Sequence, residues 1–346
     1  MLEVSLGLLS GFYLLGLSLK NLLVKTKRLP SKVISVGNIT LGGTGKTPAV
    51  ISIAEEAARR GLLPCVLTRG YKGKSKGPCL ITRDEGAGVR GHGKKDLCSL
   101  PPDPLLCGDE PALMAFRLKD VPIIKCADRY KGGLFAISNF KPPNSNLIFI
   151  LDDGFQHRAL HRDVDILLID ATNPFGNGRL FPEGRLREPL SSVKRAHIIA
   201  LTKTDLMSEE TVSAITQKIK KYNAEAPVYT ASHKPAALIN PSGRSAELDR
   251  LNGRKIYVFS GIANGEYFRN ILTAGGADIV RFKSFRDHYM YRQRDMDKIN
   301  AEAAGLDIIT TEKDLVKIRQ LSLPENLFAL RIEFEIDRGF YDYILR

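Results

Sequence analysis

One stretch limits what this chain can fold into: Gly42-Gly43-Thr44-Gly45-Lys46-Thr47. An apolar run of strand length, 32–37, precedes it. After it, the spacing of Val50, Ile53, Ala54, Ala57 and Ala58 predicts a helix over 46–60. Strand, glycine-rich turn, Gly-Lys-Thr and helix form the context of a phosphate site. Backbone N–H groups in such a loop curl around a polyphosphate. The helix N-terminus adds a partial positive charge of about half a unit. Lys46 would reach the β- and γ-phosphates, and the Thr47 hydroxyl would sit on Mg²⁺. Thr40 stands where the strict pattern has its first glycine, and Gly37 and the doubled Gly42-Gly43 are expected to supply the turn instead.

From residue 32 to about 223, strands and helices alternate. Strands are expected at 32–37, 64–69, 121–126, 147–152, 166–170 and 197–202, and helices at 46–60, 109–119, 130–139 and 208–222. Near-continuous apolar strands between helices imply a parallel sheet covered on both faces, a P-loop NTPase-like α/β core. Residues 72–108, rich in Gly, Lys and Pro, break the rhythm and read as a basic excursion with one weak strand at 79–83. Periodicity fades over 224–250, where Pro227, Pro235 and Pro241 fall. It resumes with strands at 255–260, 278–283 and 307–310 and helices near 264–274 and 293–304. The expected division is therefore a helix over 1–28, a core domain over 29–223 and a smaller C-terminal α/β domain over 224–346.

The N-terminal segment has its own character. Val4 to Leu19 carries no charge and is crowded with leucine, and Lys20, Lys25, Lys27 and Arg28 follow. Sixteen uncharged residues are fewer than the roughly 20 that span a bilayer. Glu3 and the late position of the basic residues argue against a secretory signal. The reading is a helix lying in or dipping into the cytoplasmic leaflet, its basic residues at the headgroups. The net charge of +13 favours an anionic partner. No zinc-finger spacing, aromatic RNA-binding motif or dense basic helix appears, so nucleic acid is not expected. No sequence feature indicates a protein partner. The five cysteines include no C-x-x-C pair, which points to reduced thiols and a cytoplasmic compartment.

Several motifs fall at the carboxyl ends of predicted strands, where ligands of such sheets bind. The run 147–151 delivers Asp152-Asp153-Gly154, the Walker B arrangement that holds Mg²⁺. The pair cannot be ranked from sequence, and an Asp-Gly turn is the plain alternative. Gln156, His157 and Arg158 could face the same cleft. Asp109 and Glu110 open a helix and read equally as a cap and a first-turn acid. Asp128-Arg129-Tyr130-Lys131 suits either phosphate contact or a solvated loop. Thr202-Lys203-Thr204-Asp205 resembles the base-reading Asn-Lys-x-Asp of GTP-binding proteins, with Thr for Asn. His288 beside Asp287 could be tuned for proton transfer or be structural.

Taken together, these stretches resemble the tetraacyldisaccharide 4'-kinase family of lipid A synthesis. The likeness covers Val36-Gly37-Asn38, 42–48, Thr68-Arg69-Gly70-Tyr71, 108–111, 128–132, 151–157, Gly184 to Pro189, Phe285 to His288 and Thr310 to Asp314. It implies an enzyme that uses ATP and Mg²⁺ to phosphorylate the 4'-hydroxyl of a tetraacylated glucosamine disaccharide 1-phosphate. The product is lipid IVA, made at the cytoplasmic face of the inner membrane. By the same resemblance Asp109 is the catalytic aspartate, His288 the histidine that works with it, and Arg187 a cleft arginine that joins Lys46 in neutralising the migrating charge. Nucleotide contacts fall to Gly42, Gly43, Thr44, Gly45, Lys46, Thr47 and Gln156, and metal contacts to Thr47, Asp152 and Asp153. Two departures stand out. Arg286 replaces an expected proline, and 84–106 is longer than usual. The competing reading is a P-loop GTPase or ATPase switch at the membrane, but Leu41 stands where partitioning ATPases carry a lysine.

Overall fold

The computed structural model describes residues 2–75, 77–83, 98–140 and 146–346. Helix α1 (Leu2–Leu23) leads to β1 (Lys32–Gly37), α2 (Lys46–Arg59) and β2 (Leu63–Thr68). The excursion supplies β3 (Cys79–Ile81), β4 (Ser99–Leu100) and one turn of helix, α3 (Pro104–Cys107). Its central part, 84–97, lies outside the described residues. Then come α4 (Asp109–Arg117), β5 (Ile123–Lys125), α5 (Arg129–Phe140), β6 (Leu147–Asp152), β7 (Val164–Asp170), β8 (Ile198–Thr202) and α6 (Glu209–Lys220). The remainder holds β9 (Val228–Ile239), β10 (Ser245–Ala246), β11 (Lys255–Ser260), α7 (Gly265–Ala274) and β12 (Asp278–Ser284). It closes with α8 (Gln293–Ala303), β13 (Asp307–Thr311), α9 (Glu312–Ile318), β14 (Leu327–Ile336) and α10 (Arg338–Leu345).

The first block of the sheet is parallel through β5, β2, β6, β1, β7 and β8, with β3 antiparallel at its edge. Side-chain alternation explains its two covers. In β6, Ile148 and Ile150 join the core under α2, α4 and α10, while Leu147, Phe149 and Leu151 face the opposite core under α5. Helix α2 buries Val50, Ile51 and Ile53, each worth about 1.5–3 kcal/mol of apolar transfer.

The stretch 224–250, expected to be irregular, contains the strand that joins the sheet together. β9 pairs in parallel with β8 through Val228–Ala231, then runs on and pairs antiparallel with β14 up to Ile239. Pro235 is tolerated because it sits opposite Ile332 at a register shift in the ladder. The parallel strands β14, β13, β11 and β12 hang from the far end of β9. Leu238 lies seven positions beyond Ala231, so the second block is displaced by roughly 23 Å beyond the carboxyl edge of the first. Its strands run the opposite way. The carboxyl ends of both blocks therefore face one cleft.

Two further expectations are corrected. Cys79 and Cys98 form a disulfide, whereas Cys65, Cys107 and Cys126 are free and buried. Parallel pairing of β3 with β4 sets Leu80 against Ser99 and so brings the two preceding cysteines together, which no spacing rule reveals. Gly37 does not make the turn. The left-handed residues are Gly42 and Gly45, and Gly37 instead permits close packing, since a Cβ there would lie 2.6 Å from Phe155.

In α1, the window Leu6–Leu23 is long and apolar enough, by length and composition, to cross a membrane. Leu8, Leu9, Phe12, Leu15, Leu19, Leu22 and Leu23 are exposed, and Ser10 is buried against the protein.

Candidate active site

A cleft of about 470 Å³ opens between the two blocks, lined by the phosphate loop, Asp153, Arg187, Lys203, His233, His288 and Lys313 among others. On the first block, Gly45 caps α2 in the left-handed conformation, and the first turn of α2 carries no acid. The positive helix end is thus left for an anion. Lys46 Nζ donates to Asn38 Oδ1 at 3.2 Å and lies 3.6 Å from Asp153. Arg187 donates to the same Asn38 oxygen at 3.2 Å and grips both Asp153 oxygens at 2.8 and 3.0 Å. Two cations around one carboxylate leave a positive surplus facing the cleft. Burial opposes the charge on Asp153, but Lys46 and Arg187 outweigh it and hold the carboxyl well below the usual range.

Asp152 differs. It is fully enclosed, accepts from Thr68 Oγ1 at 2.9 Å, and leaves Oδ1 without a partner. Burial, with Glu110 and Asp153 nearby, pushes its pKa up to about 7. An enclosed carboxylate oxygen that lacks a partner suits a cation. Among the described residues no cluster of three or more His, Cys, Asp or Glu side chains forms a protein-only metal cage. One or two carboxylates with a Thr hydroxyl, completed by phosphates, is what Mg²⁺ uses. Thr47 is buried at the second position of α2.

The second block contributes the opposite wall. His288 Nδ1 lies 2.8 Å from Asp109 Oδ2. Gly108 precedes Asp109 with φ +97, and a Cβ there would meet Tyr71 O at 2.7 Å. The helix cap is therefore Gly108, and Asp109 is the first helical residue, with no capping hydrogen bond from a side chain. Lys313, at the start of α9, stands 3.6 Å from Asp109, 3.4 Å from Glu110 and 3.8 Å from Asp287. Burial opposes the charge on Asp109, but the His288 hydrogen bond and Lys313 overcome it and hold the carboxyl well below its usual range. The loop at Arg286 closes through Tyr289 N donating to Arg286 O at 3.1 Å, and His288 adopts φ 60.

Other candidates have different places. Gln156 does not line the cleft; its Nε2 donates to Asn38 O at 2.9 Å, which braces the residue that receives Lys46. Asp128 caps α5 through Tyr130 N at 3.0 Å, and Arg129 is buried behind it. Lys203 Nζ donates to Gly43 O at 3.0 Å and pairs with Asp170, while Thr202 Oγ1 donates to Thr44 O at 3.2 Å. The Thr-Lys-x-Asp stretch thus braces the phosphate loop. His233 was not singled out by sequence. Its ring lies where a Cβ on Gly45 would come within 2.4 Å of Nε2, and burial, with Lys203 nearby, lowers its pKa to about 4. It lies on β9, in a stretch whose sequence carries no strand period.

The sequence profile of the tetraacyldisaccharide-1-P 4'-kinase family matches residues 2–346. The chain belongs to that family. Tetraacyldisaccharide 4'-kinases of Halothermothrix orenii and Syntrophus aciditrophicus are 39% and 36% identical to it, over 96% and 98% of this chain and 88% and 91% of theirs. A crystal structure of the Aquifex aeolicus member, described as an "apo" form in complex with ATP, superposes with TM-score 0.73 at 32% identity, covering 100% of this chain and 99% of that one. The chain is therefore an ATP-dependent kinase of lipid A synthesis, not a GTPase switch. It phosphorylates the 4'-hydroxyl of tetraacyldisaccharide 1-phosphate to give lipid IVA.

Proposed function

We propose that Asp109 and His288 form one proton-accepting unit for this transfer, with the lipid headgroup held between the two blocks. The observation that carries the reading is their 2.8 Å contact across the cleft. The pair takes the proton of the 4'-hydroxyl as its oxygen attacks the γ-phosphorus and the bond to the bridging β-oxygen breaks. Lys313 keeps Asp109 ionised for that task. Lys46 and Arg187 meet the charge that moves onto the leaving ADP. Thr47, Asp152 and Asp153 would hold Mg²⁺, which would supply positive charge to neutralise the phosphates. The C-terminal domain, 224–346, would close against the core domain, 29–223, with the lipid in place.

The exposed apolar face of α1 and the basic residues after it suit docking on the cytoplasmic face of the inner membrane. Vesicles of phosphatidylglycerol and phosphatidylethanolamine containing tetraacyldisaccharide 1-phosphate, incubated with γ-labelled ATP and Mg²⁺, should yield labelled lipid. Label appearing only as inorganic phosphate would remove the transfer reading. Phe12→Ser with Leu15→Ser should reduce co-sedimentation with the same vesicles; undiminished sedimentation would place membrane docking elsewhere.

A further inference from the structure

Helix α1 has an apolar outer face, yet two polar side chains one turn apart on its inner side reach a single loop. Ser10 Oγ donates to Leu180 O at 3.0 Å and accepts from Glu183 N at 3.2 Å. Tyr13 Oη donates to Arg187 O at 2.9 Å, and its ring meets Phe181 edge-on at 6.0 Å. A helix that served only as an anchor would need none of these bonds, because apolar residues would fill the same positions.

The loop they hold is also fastened to the phosphate loop. Leu41 N donates to Arg185 O and Arg187 N to Ile39 O, each at 2.7 Å. Arg185 returns a bond to Leu41 O at 3.1 Å. Arg187 is thus held through its main chain from two sides, its N–H by the segment leading into the phosphate loop and its carbonyl by the membrane helix. Its side chain grips Asp153 and Asn38. A guanidinium that must meet a carboxylate with two bonds tolerates little displacement of its own backbone.

We propose that Tyr13 is a positioning residue for Arg187: seating α1 on the 180–187 loop sets the guanidinium against Asp153 and completes the phosphate site. The helix then links membrane docking to catalysis. The inference rests on the reading of Arg187 as the cation that meets the migrating charge.

Tyr13→Phe tests it, because the ring stays and only the hydroxyl goes. With full-length protein and tetraacyldisaccharide 1-phosphate in phosphatidylglycerol–phosphatidylethanolamine vesicles, kcat should fall about three- to tenfold, the reach of one hydrogen bond. KM for the lipid, vesicle co-sedimentation and thermal midpoint should stay as in the parent. In an Arg187→Ala background, Tyr13→Phe should cause no further loss. Unchanged kcat in Tyr13→Phe beside an impaired Arg187→Ala overturns this proposal alone. Equal losses in both backgrounds, or a rise in lipid KM without a fall in kcat, overturn it as well. Full activity of Arg187→Ala removes the reading of Arg187, and this proposal with it.

Discussion

Asp109 and His288 are 179 residues apart in sequence and 2.8 Å apart in space. They meet because β9 carries the second block past the edge of the first and turns its strands back. Asp109 then opens α4 on one wall, and His288 follows β12 on the other. If they act as one unit, Asp109→Ala and His288→Ala should each lower kcat by roughly 10²–10⁴-fold with little change in KM for ATP. The double variant should be only slightly worse than the worse single, since members of one unit are not additive. Steady-state kinetics on the four-corner cycle decide it; fully multiplicative losses mean that the two residues act separately.

Lys46→Ala and Asp153→Ala should each lower kcat by roughly 10²-fold or more, because each removes charge stabilisation from an enclosed site. Arg187→Lys keeps the charge but loses the two-pronged bond to Asp153, so a loss of about tenfold is expected. Near-normal turnover of Lys46→Ala would sink the phosphate-cradle assignment.

Lys203 supports the phosphate loop through Gly43 O and Asp170. Removing a charged hydrogen-bond donor there costs about 1.5–3 kcal/mol. Lys203→Ala should therefore raise the Kd for ATP by tenfold or more, read by nucleotide titration, with the product unchanged. An unaltered ATP affinity would show that the loop holds its shape without the brace.

His233 sets a pH dependence of stability. Its surroundings are Lys203, Asp170, Tyr267, Phe334 and the backbone at Gly45. With a folded pKa of about 4 against an ordinary 6.5, the unfolded chain takes up this proton first as pH falls. Stability from this residue is complete above about pH 6.5 and is lost progressively towards pH 4, by up to about 3 kcal/mol. His233→Leu should flatten that acid limb in thermal melts run from pH 7.5 to 4.5. Parallel limbs for the two proteins would mean that other groups govern it.

The sequence by itself determined the elements whose signals are local. Gly42 to Thr47 between an apolar strand and an amphipathic helix is a complete unit, and the unbroken apolar run at 147–151 marks a strand covered on both faces without reference to anything distant. The leucine-rich run at the N-terminus likewise declares an apolar face. Tertiary structure decided the rest, because those contacts join residues that share no local period. Pro235 reads as punctuation until a register shift in β14 makes room for it within a twelve-residue strand. Asp109 has the sequence of a helix start, and only the return of the second block gives its carboxylate a histidine and a lysine. Lys203 carries a base-reading signature, and only the packing of β8 beside the phosphate loop turns it into a brace. Cys79 and Cys98 became partners through the pairing of two short strands. Chain order specifies which strands can form; the long β9–β14 ladder specifies which of their ends meet.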